Sequence, residues 1–117
     1  MYLARLTRAD ILFPTVYLAT KSQSPTKSDY IKLCRVLKYV KKRANHGVTF
    51  FKDRGIEATL YTDASHGIHH DGKGHIGIIA TLGSGYIAAK TSKIKMITLS
   101  STESEQVALS EATTFAR

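Results

Sequence analysis

Asp63 stands in the run "LYTDAS" (60 to 65), where Ala58, Thr59, Leu60, Tyr61 and Thr62 read as a β-strand. Aspartate is among the residues that strands disfavour. Glu103 follows in "SSTESE", in the first turn of a helix. A strand aspartate and a helix glutamate converging at one sheet edge could hold magnesium, a hard cation that binds through carboxylate, water and phosphate oxygens. Two such ions, about 3.5–4 Å apart, can carry an in-line attack on a phosphodiester. The same spacing allows a plainer reading: Asp63 can form an Asx-turn ahead of Ser65 and Gly67, and Glu103 can close a capping box opened by Ser100. Glu105 and Glu111 read as exposed helix positions, and Asp71 as a turn residue.

A second set of ligand types, His66, His69, His70 and His75, crowds the loop "GIHHDGKG" and its edges. Imidazoles with Asp71 could bind zinc. A glycine-rich loop positions side chains poorly, so an exposed, His-rich loop is the preferred reading.

Two textures of chain must position these groups. Residues 7 to 46 read as helical. Thr7 or Asp10 can open a first helix through about Lys21, and Pro14, which lacks an amide, should kink or restart it. Ser24 as N-cap with Pro25 in the first turn opens a second helix. There Tyr30, Leu33, Cys34, Leu37 and Val40 recur at helical spacing, and Gly47 is the expected left-handed cap. That helix carries Lys27, Lys32, Arg35, Lys38, Lys41, Lys42 and Arg43 against a single acid, Asp29. It is either a solvated face whose C-terminal cations suit the helix dipole or a rail for phosphates.

From residue 48 the period changes to two. "VTFF" (48 to 51), "EATLYTDA" (57 to 64), "HIGIIATL" (75 to 82) and "YIAAKTS" (86 to 92) read as strands, separated by the turn signals "KDRG", "GIHHDGKG" and "GSG". Short turns imply an antiparallel meander. "KIKMITL" is a further extended stretch, after which Val107, Ala108, Ala112 and Phe115 give the last helix a modest apolar face.

The 117 residues fit one small domain or a piece of a larger one, and 43% hydrophobic residues suffice for an ordinary core. A formal charge of +8 favours a polyanionic partner. The lone Cys34 allows neither an internal disulfide nor a cysteine-based zinc site and suits packing in a reducing compartment. Asp10 and Pro14 interrupt the faint signal-peptide character of residues 1 to 20, and no run approaches the roughly 20 apolar residues of a membrane span. An intracellular protein of the cytoplasm or nucleus, not secreted and without a membrane partner, is therefore expected.

Three stretches together resemble the C-terminal part of a copia-type retrotransposon polyprotein, where reverse transcriptase runs into ribonuclease H. "YLARLTRADILFPTVYLATKSQSPTKSDYIKLCRVLKYVKK" resembles the segment after the polymerase palm, "YTDASHGIHHDGKGHIGIIATLGSG" the first ribonuclease H hairpin, and "KTSKIKMITLSSTESEQVALSEA" the third strand and first helix of that domain. The resemblance implies an α+β chain: a helical segment over 1–47 with two helices, then an antiparallel meander and a helix over 48–117 forming the first half of a ribonuclease H-like fold. It implies that Asp63 and Glu103 are catalytic, binding two magnesium ions for cleavage of RNA in an RNA–DNA hybrid. It also implies that Lys32, Arg35, Lys38 and Lys42 of the basic second helix track the hybrid's backbone, with Lys90, Lys93 and Lys95 in a lesser part, and that the rest of the polyprotein is a partner. Further aspartates of that family's site lie downstream, and none follows Glu103 here, so these residues alone are expected to be inactive or nearly so. A non-catalytic hybrid-binding module and a vestigial transposon fragment are the alternatives.

Overall fold

The computed structural model describes residues 2–51 and 56–117. It divides into two compact units, residues 1–48 and 49–117.

The first unit is helical: α1 (Tyr2–Leu6), a 3₁₀ turn (Ala9–Ile11), α2 (Leu12–Ala19) and α3 (Lys27–Lys42). The chain restarts at Leu12 instead of running as one kinked helix, because Pro14 falls in the first turn of α2, where a missing amide leaves no helical bond unmade. Ser24 and Pro25 do not open the next helix as the sequence suggests. Thr26 is its N-cap, in a reciprocal box with Asp29: Thr26 Oγ1 accepts from the Asp29 amide at 3.2 Å and Asp29 Oδ2 accepts from the Thr26 amide at 3.0 Å. Two donors left open at a helix start are thereby satisfied, which Ser24 does not offer. Gly47 is not a left-handed cap either, since positive φ is confined to Gly67, Gly72 and Gly83 among the described residues. The end of α3 is closed instead by buried Arg8, whose Nη1 donates to the Arg43 carbonyl at 2.7 Å. Asp10, 2.9 Å from Arg8 Nη2, orients that guanidinium.

The second unit is a three-stranded antiparallel sheet in the order β1 (Ala58–Ser65), β2 (His75–Leu82), β3 (Gly85–Lys93), covered by α4 (Ser101–Phe115). The α+β architecture expected for the first half of a ribonuclease H-like fold is present. Strand alternation sends Ile76 and Ile78 of β2 and Leu60 and Ala64 of β1 to one face, where Ile94, Ala108 and Ala112 complete a buried core flanked by Val107 and Phe115. Two expected extended stretches are not strands: residues 48–51 lie outside the sheet, with the Phe51 amide donating to Ser84 Oγ at 2.8 Å, and 94–99 follow β3 as irregular chain that drops Ile94 into the core. The "KDRG" turn signal lies outside the described residues.

Candidate functional site

Asp63 lies in β1, an edge strand of this sheet, paired across to Gly77. Its neighbours Leu60 and Ala64 pack toward α4, so alternation turns Asp63 to the opposite face, where it is exposed beside exposed Tyr61. The carboxylate makes no hydrogen bond or ion pair among the described residues. Nothing lies within 4 Å of where a Cβ on Gly77 would stand, so the space across the strand is open. No Asx-turn bond engages it.

Glu103 is in the first turn of α4, and its carboxylate serves the backbone there. Ser100 Oγ accepts from the Glu103 amide at 3.1 Å, and Glu103 Oε2 accepts from the Leu99 amide at 2.6 Å. This is a capping arrangement displaced by one residue, because the side chain reaches Leu99 and not the N-cap amide itself.

The helix carboxylate that reaches β1 is Glu105: its Oε1 accepts from the Ala64 amide at 3.4 Å, next to Asp63. The contact is long for a hydrogen bond, and Glu105 makes no ion pair among the described residues. The sequence reading missed this residue, although the helical period contains the signal. Ser104, Ala108 and Ala112 form the buried stripe of α4. At about 100° per residue, Glu105 falls about 60° from the middle of that stripe and Glu103 about 140°. Asp63 and Glu105 thus meet the same edge of β1 from the two faces of the sheet. Two carboxylates with water and a phosphate match the donor set magnesium uses. Among the described residues no group of three or more His, Cys, Asp or Glu side chains is arranged to hold a metal ion.

The histidine loop is exposed at His66 and His70, as its composition suggests, but not at the other two histidines. His69 and His75 are 5% and 3% exposed, and they form a chain: His69 Nε2 lies 2.9 Å from His75 Nδ1, and His75 Nε2 lies 2.7 Å from Thr91 Oγ1. Thr91 donates to the Ile76 carbonyl at 2.8 Å, so its oxygen accepts from His75 Nε2–H. His75 Nδ1 is then the acceptor for His69 Nε2–H. Burial, seconded by the charge of His69, lowers the His75 pKa from 6.5 to about 4. His66 turns to α4, with Nδ1 3.1 Å from Thr98 Oγ1 and 3.3 Å from Ser104 Oγ.

The basic residues separate into free and engaged. Arg35, Lys38 and Lys42 are exposed and unpaired among the described residues. Lys32 lies 3.8 Å from Asp29 and over the Tyr17 ring. Lys90 pairs with Glu111 at 2.9 Å, and Lys93 with Asp71 at 2.6 Å. Glu111 and Asp71 are therefore ion-pair partners, not idle surface acids. The Lys93 ammonium holds the Asp71 carboxyl below its usual range.

Among known proteins, the chain is similar to the secreted RxLR effector protein 161 of Plasmopara viticola, at 31% identity over 97% of this chain and 80% of that protein. It is also similar to the uncharacterized mitochondrial protein AtMg00810 of Arabidopsis thaliana, at 30% identity over 89% of this chain and 44% of that one. No family model and no solved structure matches. The expectation of a non-secreted, intracellular protein is overturned by the first of these relatives, which matches almost the whole chain and is named as secreted. No helix among the described residues is long and apolar enough to cross a membrane.

Proposed function

The chain belongs to one family with the secreted RxLR effector protein 161 of Plasmopara viticola; from the resemblance of its "YTDAS" and "SSTESE" stretches to a copia-type ribonuclease H and from its α4-covered antiparallel sheet, we propose that it is retrotransposon-derived, ribonuclease H-like and binds RNA–DNA hybrids. The observation that carries this reading is the open Asp63 carboxylate on β1 beside the Ala64 amide that Glu105 reaches from α4. In this reading the Asp63 side chain, which strand alternation turns away from α4, swings to the free edge of β1 where Glu105 reaches the Ala64 amide, and the two would provide the protein's oxygens for a magnesium ion. A magnesium ion held there would supply polarisation of a water and charge opposite the leaving oxygen of a phosphodiester. Glu103 sets the first turn of α4 through Leu99, which fixes the height at which Glu105 meets the strand. Arg35, Lys38 and Lys42 add the charge that a phosphate backbone attracts, by shape and not by sequence. With two carboxylates in place, hybrid binding is the expected activity and cleavage is slow or undetectable.

Hybrid binding measured with and without magnesium tests this. Magnesium is expected to tighten binding by the wild-type chain and not by Asp63→Asn or Glu105→Gln, while Glu103→Gln keeps the response. A response unchanged in Asp63→Asn contradicts the reading.

The name of the Plasmopara relative favours a second reading, in which the chain acts as an effector outside the cell that makes it. Immunodetection of the native protein in culture filtrate supports that reading, and recovery from washed cells alone opposes it.

A further inference from the structure

We propose that the groove between β3 and α4 is a seat for one backbone phosphate of a polynucleotide. The inference deepens the hybrid-binding reading and rests on it. The groove encloses about 420 Å³ and is lined by Lys90, Ser92, Lys93 and Lys95 on one side and by Ser110 and Glu111 of α4 on the other.

Two independent observations point to an oxyanion. Ser92 Oγ is buried and has no hydrogen-bond partner, a condition that costs free energy until an acceptor or donor arrives. Three lysines line the same groove; Lys90 is held by Glu111 and Lys93 by Asp71, while Lys95 is exposed with no ion pair among the described residues and is the cation left to meet a ligand. Lys90 is already extended into position by Glu111 at 2.9 Å. A phosphate oxygen would accept from Ser92 and from Lys95, and would share Lys90 with the carboxylate.

Three substitutions test the seat without disturbing the fold. Ser92→Ala removes a hydroxyl that bonds to nothing, so stability should hold, while hybrid affinity falls about three- to tenfold, the effect of one lost hydrogen bond. Lys95→Gln should lower the slope of log affinity against log salt by about 1. Glu111→Gln should raise affinity about fourfold at low salt, the effect of deleting a like charge about 5 Å from a phosphate in water; a purely structural role for the Lys90–Glu111 pair does not give that gain.

Amide shifts recorded with hybrid and with inorganic phosphate complete the test. Movement of Ser92, Lys95 and Ser110 with both ligands supports the seat. Movement with inorganic phosphate alone assigns the groove to a small anion and overturns the polynucleotide assignment. A chain that binds hybrid while all three variants stay at wild-type affinity overturns this site alone; a wild-type chain that binds no hybrid overturns the reading beneath it as well.

Discussion

Acidification should unfold the second unit through His75. The imidazole is 3% exposed and its pKa falls from 6.5 to about 4. Between those two values the unfolded chain takes up a proton that the folded chain refuses, so stability is present above pH 6.5 and is lost as pH falls toward 4. Each pKa unit corresponds to about 1.4 kcal/mol, so the full loss is about 3 kcal/mol, of which about 2 kcal/mol is reached by about pH 5. Against a total stability of about 5–15 kcal/mol for a domain, that is a large fraction. Asp71, lowered by Lys93 from 3.8, titrates below this window and does not imitate the effect. Urea unfolding at pH 7 and pH 5, followed on the amide signals of Ile76 and Ile78, measures it. His75→Gln keeps a side-chain donor for Thr91 and should flatten the dependence. Equal wild-type midpoints at the two pH values, or an undiminished loss in His75→Gln, would refute the assignment.

Two backbone predictions accompany it. Gly74→Ala would place a Cβ 2.6 Å from the Ser65 carbonyl oxygen and 2.8 Å from Ile94 Cδ1, and should destabilise the second unit by about 1–3 kcal/mol, read as a lower urea midpoint at unchanged slope. Thr26→Ala breaks the capping box of α3 and should cost about 1 kcal/mol, with a loss of helical circular dichroism on warming.

What the sequence made legible follows the strength of its periodicities. The alternation in "HIGIIATL" fixed β2 to the residue, and the turn glycines around it implied the antiparallel meander. Ser100 and the Ala108 and Ala112 repeat likewise located α4. Capping was less legible, because Ser24, Thr26 and the flanking Pro25 all suit a helix start by type, and only the reciprocal bonds of Thr26 with Asp29 decide among them. The end of α3 depended on Arg8, 35 positions away, for which no local pattern exists. At the site, Asp63 was conspicuous because a carboxylate interrupts a strand, whereas of the two nearby glutamates Glu103 read as the ligand and Glu105 as an exposed helix position. They differ by phase about the helix axis, and that phase sends Glu103 to Leu99 and Glu105 to Ala64. The buried His69–His75 pair was hidden by its composition, since histidines in a glycine-rich loop read as solvated until the loop folds onto β2 and β3.

Asp63 and Glu105 can take a common divalent ion only if their carboxylates, which start from opposite faces of the sheet, both come to the free edge of β1. Paramagnetic manganese in place of magnesium reports that directly, through broadening of nearby amide signals. The prediction is selective broadening at Asp63, Ala64 and Glu105, abolished by Glu105→Gln and retained in Glu103→Gln. Broadening that is uniform over the surface, or that follows Glu103 instead, contradicts it.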